Sequence, residues 1–387
     1  MSYDLTITKE AHTENSFLME STHPKSSLLD QNNELYSNVF TEIPPQPKIA
    51  KPGHLTEEQI KKFFDEGFLI VNDIFTPEEL QPCCNDIEIL VDNLAQKLYE
   101  AGKINDLHED CGLFQRLTEI DKEFSGASIL IFKSQKLTKS FQNLWSNERL
   151  LNIAEQILGP EVSGHPVWNL RPKIPNSKIV QVPWHQDSAY FDPDSYDHMI
   201  LTAWIPFLNT NARNGGMQMA RYGHRTGKVA HHTCSPGDTW YVDLAEEEMQ
   251  KTLGVDLERD IITCHVPYGG MLLFQNITPH RSLLNISNDV RWSVDLRWQS
   301  PKEKWGFYNL QEGILMRSEK QPDLEPDWEK FLSTDRKTEW QKRYSKKDEN
   351  TDDEFNTCVS GPWFNRWEIV HRNRHIKSFR FDNEEAN

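Results

Sequence analysis

The chain reads as a mainly β protein with flanking helices, in which helices come first and an antiparallel β sandwich or barrel follows. Three features of the sequence predict this. Helix start and stop signals are concentrated between Thr56 and Leu158. Beyond Gly159-Pro160 the apolar runs shorten, alternate, and are broken by Pro, Gly and Asn. No internal repeat is present to suggest a solenoid or propeller.

The elements follow in order. Thr56 and Gln59 form a capping-box pattern, and Ile60, Phe63 and Phe64 place apolar groups on one face of a short helix before Gly67. Phe68 to Val71 is a brief buried strand. Thr76, Pro77 and Glu79 then supply cap, first-position proline and box acid for a second helix. Its apolar residues Leu80, Cys84, Ile87, Val91, Leu94 and Leu98 step by four and three, giving one continuous stripe, and Gly102 is the natural stop. A third helix is predicted from Asn147 to Leu158. Candidate strands are Ile179 to Asp187, Met199 to Leu208, Gly216 to Ala220, Thr239 to Val242, Met271 to Phe274 and Val290 to Gln299.

Residues 1–53 are polar and aperiodic, end in EIPPQPKIAKPG, and read as a flexible leader; residues 54–300 form the main predicted domain, the N-terminal helices followed by the β core. Residues 301–387 are charged and irregular, yet Trp305, Phe307, Trp328, Trp340, Trp363, Phe364 and Trp367 predict an extension packing on the core. Of the 387 residues, 59 are acidic and 42 basic, a formal charge of -17 that repels nucleic acid and anionic membrane surfaces. A mean hydropathy of -0.68 and the lack of an 18-residue apolar run argue against a membrane span. No secretory or organellar address is read in MSYDLTITKEAHTENSF, so a cytoplasmic location is expected. The six scattered cysteines, including adjacent Cys83 and Cys84, lack zinc-knuckle spacing and read as reduced thiols.

Chemistry is concentrated in Val182-Pro-Trp-His-Gln-Asp187. In an extended run, side chains alternate, so His185 and Asp187 point to one face and offer an imidazole nitrogen and a carboxylate oxygen. A second histidine completes two-His-one-carboxylate coordination, which caps one face of an octahedral iron(II) and leaves three positions open. His280, just after the run Met271 to Phe274, supplies it. Eleven residues further, Arg291 enters an alternating strand in which Arg291, Ser293, Asp295 and Arg297 share a face. An inward guanidinium there can grip a distal carboxylate through two parallel hydrogen bonds. Singly, each of these residues is ordinary surface chemistry; their joint occurrence in this order is what points to a site. The glycines of Asn214-Gly215-Gly216 and Gly223-His224 read as tight turns. His231, His232 and His265 lack a matching partner and read as surface histidines.

In these segments the sequence resembles the phytanoyl-CoA dioxygenase family. The resemblance runs from about Leu55 to about Trp298, through GFLIVNDIFTPEEL, WHQD, LTAWIPFLNTNARNGGMQMARYGHR and PHRSLLNISNDVRWSVDLRW. It implies a double-stranded β-helix (jelly-roll) core, iron(II) on His185, Asp187 and His280, and 2-oxoglutarate bound to the iron and to Arg291. Carried across residue by residue, it places Trp204 and Ser282 at positions that help hold the cosubstrate. Gln186 lies inside the metal tripeptide, and Asn169 and Lys133 fall near further cosubstrate positions. Two departures stand out: Ser188 to His198 is one residue longer than the family pattern leads us to expect before Trp204, and the family's Pro-Gly-Ser-His turn is replaced by Arg221-Tyr-Gly-His224. Both are expected near the mouth of the site.

The implied reaction is a 2-oxoglutarate-dependent hydroxylation or related oxidation of a small organic substrate, using dioxygen, releasing succinate and carbon dioxide, with ascorbate as a supporting reductant. Halogenating relatives carry a small residue where Asp187 stands, so the aspartate favours oxidation. An acyl-CoA thioester needs a basic patch, for which Lys173, Lys178, Arg213 and Arg221 are candidates; the acidic composition favours a small metabolite without CoA. Two other classes compete. A non-catalytic jelly-roll binding protein would lose the cosubstrate contacts, against which Arg291 and Ser282 speak. A zinc hydrolase lacks support because no His-Glu-x-x-His helix is present. Oligomeric state is not legible.

Overall fold

The computed structural model describes residues 38–134, 136–344 and 353–381. Among the described residues there are twelve strands: β1 (Phe68–Val71), β2 (Val162–Gly164), β3 (Asn169–Lys173), β4 (Leu201–Pro206), β5 (Met217–Ala220), β6 (Thr233–Cys234), β7 (Val242–Asp243), β8 (Ile261–Thr263), β9 (Met271–Gln275), β10 (His280–Ser282), β11 (Arg291–Gln299) and β12 (Ile314–Arg317). The large antiparallel sheet runs β1-β9-β4-β11-β2-β12, with β3 also paired to β11. A smaller sheet, β10-β5-β8, faces it. Phe68, Trp204, Leu272 and Phe274 of the large sheet meet Met217, Met219 and Cys264 in one buried cluster, so two sheets enclose a shared interior, as a jelly roll requires.

Helices cover the outer face of the large sheet. Helix α1 (Glu57–Glu66) starts with the expected capping box: the Gln59 amide N–H donates to Thr56 Oγ1 at 3.2 Å, and the Thr56 N–H donates back to Gln59 Oε1 at 2.9 Å. It ends at Gly67, whose φ of 85° no side chain would adopt cheaply and where a Cβ would sit 2.4 Å from His224 Nδ1. Helix α2 (Pro77–Glu100) buries the whole predicted stripe from Leu80 to Leu98. Helices α3 (Arg116–Glu123), α4 (Ala127–Lys133) and α5 (Lys139–Trp145) carry no strong periodic signal; they precede α6 (Glu148–Leu158), which Asn147 caps.

At four places the structure differs from, or adds to, what the sequence leads us to expect. The leader was expected to be flexible through residue 53; residues 1–37 lie outside the described residues, but the chain packs from Asn38 onward. Phe40 is buried, its carbonyl accepts from Gln275 Nε2 at 3.0 Å, and Gln46 donates to the Gln156 carbonyl. One aromatic anchor and fixed proline φ angles hold this segment, a pattern without periodicity to read. Second, the C-terminal extension does more than pack on the core: β12 pairs with β2 and gives the large sheet an edge strand. Third, Ile179 to Asp187 is not a regular strand. Pro183 has no N–H to give a ladder, and the Gln186 N–H goes to His232 Nε2 instead. Last, Thr239 to Val242 contributes only Val242 to a two-residue pairing of β7 with β6. All six cysteines are free thiols.

Candidate metal centre and cationic cavity

Strand β10 and the extended segment before Asp187 meet across a short antiparallel bridge. The His185 N–H donates to the His280 carbonyl at 3.0 Å, and the His280 N–H returns the bond at 2.9 Å. Two residues on, the Ser282 N–H bonds the Val182 carbonyl at 3.0 Å. Three steps on one side thus oppose two on the other, a bulge that re-aims the side chains. The backbone thereby sets the two imidazoles side by side, with ring centroids 4.1 Å apart and planes inclined by 52°.

Asp187 opens a single 3-10 turn, Asp187–Tyr190, and its Oδ1 lies 3.6 Å from His185 Nε2 and 3.7 Å from His280 Nε2. The three ligand atoms all lie within 4.8 Å of one another, and all three residues are buried. Each imidazole is oriented by its own chain: His185 Nδ1 meets the Pro183 carbonyl and His280 Nδ1 the Thr278 carbonyl, both at 2.9 Å. A carbonyl accepts only, so Nδ1 carries the proton and the Nε2 lone pair faces the carboxylate. Burial and the neighbouring imidazole pull His280 down to about 3, keeping it a neutral ligand. Burial alone would raise the Asp187 carboxyl. The Arg297 guanidinium and the two imidazoles overcome it and hold Asp187 well below its ordinary value. Arg297 donates through Nη2 at 2.8 Å and Nε at 3.1 Å, both to Oδ2, and Thr202 Oγ1 lies 3.3 Å from the same oxygen. Oδ1 is left free to bind a metal.

Beside this triad lies a cavity walled by both sheets. Because β11 alternates, Arg291, Ser293, Asp295 and Arg297 share its inner face, and β3 adds Lys173 opposite Arg291 and Arg171 opposite Ser293. Arg171 Nε donates to Asp295 Oδ2 at 2.5 Å. Arg291 Nη1 reaches Ser293 Oγ at 2.5 Å, while its buried Nε has no hydrogen-bond partner among the described residues, nor has Trp204 Nε1. The Arg291 guanidinium sits 5.1 Å from the centre of the Trp204 ring, a cation over a π face. Phe132, Trp240 and Tyr241 make the aromatic side of the cavity.

The residues marked in the sequence divide clearly. His185, Asp187 and His280 converge, and Arg291, Trp204 and Ser282 line the adjoining cavity, where Ser282 Oγ accepts from the Val182 N–H at 3.2 Å. Gln186 does not reach it. Its side-chain amide donates to the carbonyls of Lys228 and Ile277, and its Oε1 accepts from the Ala230 N–H, so it clamps three segments behind the ligands. Alternation turns it away from its neighbours on either side. Lys133 also lies outside the cavity, at the exposed end of α4, donating to the carbonyls of Asn356 and Cys358 in the C-terminal extension. Asn169 stands opposite Asp295 on β3 but is not among the cavity-lining residues. His232, expected at the surface, is fully buried; it accepts from the Gln186 N–H and packs on Trp367. The turn Arg221–His224 faces α1 rather than the cavity, since His224 Nε2 bonds the Phe64 carbonyl. From the long stretch after Asp187, Tyr190 packs edge-on against His185 and is backed by Trp363. The four candidates for CoA phosphates do not cluster: Lys173 is buried, Lys178 and Arg213 are exposed, and Arg221 bonds the Arg259 carbonyl. Arg171, Arg297 and Tyr241 went unassigned in the sequence, although the alternation Arg171-Pro-Lys173 already puts two cations on one face.

Two sheets enclosing a buried two-histidine, one-carboxylate triad beside a cationic cavity define a jelly-roll protein built to hold a single metal ion. The Phytanoyl-CoA dioxygenase (PhyH) family matches residues 63–293, more than half of the chain, and the protein belongs to that family. It is similar to the 1-deoxypentalenic acid 11-beta-hydroxylase of Streptomyces arenae, 28% identical over 177 residues, covering 44% of this chain and 60% of the relative. The chain thus spans less than two thirds of that relative's length. The ectoine dioxygenase of Bordetella parapertussis is 23% identical over 307 residues, covering 76% of this chain and 92% of the relative. Among solved structures, EctD from S. alaskensis in its apoform is 18% identical, with a TM-score of 0.46, over 68% of this chain and 85% of that one.

Proposed function

We propose that the protein is an iron(II)- and 2-oxoglutarate-dependent oxygenase that hydroxylates, or otherwise oxidises, a small organic substrate. The observation that carries this is the triad: two Nε2 atoms and Asp187 Oδ1 converge while every other polar atom of the three side chains is engaged. This donor set suits iron(II) with positions open for other ligands. The residues also fit the 2-oxo acid, since buried Arg291 Nε and Trp204 Nε1 lack partners beside the triad, and a buried cation so placed favours an anion. The relatives named as a hydroxylase and an ectoine dioxygenase support the reaction class and a small-molecule substrate.

In this reading His185, Asp187 and His280 would hold the iron, and Arg291 and Ser282 the 2-oxoglutarate. When bound, the iron, cosubstrate and dioxygen supply the oxidising power, with succinate and carbon dioxide as by-products. The chain's own part is positional. Arg297 fixes the Asp187 carboxylate by occupying Oδ2, two carbonyls fix the imidazole tautomers, and Arg291 orients the cosubstrate's far end. Phe132, Trp240 and Tyr241 exclude water from the substrate side.

The test is succinate formation, followed by NMR, when purified protein is incubated in air with iron(II), ascorbate and 2-oxoglutarate. Slow turnover is expected without added substrate. Asp187→Ala should abolish it, and Arg291→Ala should chiefly raise the 2-oxoglutarate requirement. Wild-type activity in Asp187→Ala would remove that residue from the centre and the oxygenase reading with it.

A further inference from the structure

The aromatic side of the cavity is a run of three rings. Phe132 stands 5.5 Å from Trp240 and Trp240 4.7 Å from Tyr241, between ring centroids. Trp240 and Tyr241 are carried by the loop 235–241 between β6 and β7. Its own backbone supplies two residue pairs of β6 with β7 and a bond from the Ser235 N–H to the Tyr241 carbonyl at 2.9 Å. A loop held by so few bonds opens readily unless other chain secures it.

The C-terminal extension secures it. The carbonyls of four successive loop residues each accept from a side chain there. Gly237 and Thr239 accept from Asn373 Nδ2 at 2.9 and 2.7 Å, Asp238 from His375 Nε2 at 3.3 Å, and Trp240 from Trp363 Nε1 at 3.1 Å. The His375 tautomer suits this: Nδ1 accepts from the Val359 N–H at 2.9 Å, so the proton lies on Nε2. Apolar packing is non-directional and would let the loop slide, whereas these bonds fix its position.

The same segment reaches the metal centre. Trp363 stands edge-on to Tyr190 at 5.4 Å, and Tyr190 edge-on to His185 at 5.5 Å. The Tyr190 hydroxyl accepts from the Val242 N–H at 3.1 Å, and Trp367 Nε1 donates to the Ala189 carbonyl at 2.7 Å. One stretch of chain thus ties the turn after Asp187 to the loop that bears the rings, and all of it lies beyond residues 63–293.

Resting on the oxygenase reading, we propose that residues 359–375 form a strap that holds the aromatic wall in register with the metal centre. Asn373 and Trp363 are its positioning residues, and the wall receives a flat, apolar part of the substrate.

The experiment compares wild type with Asn373→Asp in the iron(II)-loaded, oxygen-free full chain. The substitution keeps the oxygen that accepts from the Ile376 N–H at 3.1 Å and caps the short helix Arg374–Lys377, but sets an acceptor against two carbonyls. Amide hydrogen exchange of 235–243, calorimetric affinity for 2-oxoglutarate, and NMR titration of the 2-oxoglutarate-bound protein with indole, a flat apolar probe, are measured. Exchange in the loop should quicken about tenfold or more. Indole should bind about two- to tenfold more weakly. Affinity for 2-oxoglutarate, held at a separate part of the cavity, should stay within about twofold. Trp363→Phe, which keeps a ring against Tyr190 and loses the N–H, should move the same quantities in the same direction and serves if the aspartate variant fails to fold. Unchanged loop exchange in a folded variant, a rise spread evenly over the chain, or an equal loss for indole and 2-oxoglutarate overturns the strap. Absence of indole binding by wild type overturns the wall as a receptor, whereas failure of wild type to bind 2-oxoglutarate would instead overturn the oxygenase reading.

Discussion

The two faces of strand β11 differ sharply in chemistry, though all nine residues are buried. The outer face, Trp292, Val294, Leu296 and Trp298, packs beneath the helices in the main core and stabilises by removal of apolar area from water. The inner face, Arg291, Ser293, Asp295 and Arg297, buries three charges that must each find partners, and among the described residues Arg291 finds a serine and the face of Trp204 but no carboxylate in ion-pair reach. Burial of the second kind contributes little or costs free energy. The same strand therefore serves stability on one side and chemistry on the other.

Substitutions on the two faces should separate these roles. Arg297→Leu has the largest expected effect: it strands the buried Asp187 carboxylate, which should cost about 3–5 kcal/mol in metal-free protein and weaken iron(II) binding about 10–100-fold. Denaturant titration with and without metal checks it, and added metal should recover part of the loss. On the outer face, Leu296→Ala should cost about 2–5 kcal/mol through the cavity it leaves, with metal affinity unchanged. A drop in metal affinity there would break the division of labour.

Acid should probe the interior as a whole. Burial lowers His165 and His232 to about 3 and His224 and His375 to about 4, so each is neutral in the fold and protonates first in the unfolded chain. Their contribution is intact above the unfolded value of about 6.5 and is lost as pH falls from there towards 3–4, at roughly 2 kcal/mol each by pH 5. A stability profile that stays flat from pH 7 to 5 would contradict this. The smallest effect should come from Thr202→Val, which removes one long hydrogen bond to Asp187 Oδ2 and should cost about 0.5–1.5 kcal/mol, lowering metal affinity only a few-fold.

Much of the arrangement is legible in the sequence. Thr56, Gln59 and Gly67 delimit α1, the Leu80 to Leu98 stripe marks α2, and period-two alternation from Arg291 to Arg297 marks one face of β11. These are local patterns, and local physics determines them. His185, Asp187 and His280 were legible as ligand types in a suitable order. What alternation in a strand suggested for His185 and Asp187 is achieved otherwise, by a bulged bridge to β10 followed by a 3-10 turn. Gln186 and Lys133 point away from the cavity and His232 is buried for a common reason: each is held by a carbonyl or amide from a distant segment, and no local signal marks such a partner.

The sequence by itself determined the capped helices, the alternating strands and the inventory of metal-ligating and cationic side chains, because caps and periodicity act within a few residues. Only the tertiary structure decided which oxygen of Asp187 is free and which cation lacks an anion. Both depend on Arg297, Arg171 and Lys173 meeting across neighbouring strands, where charge balance is set by distances between residues far apart in the chain.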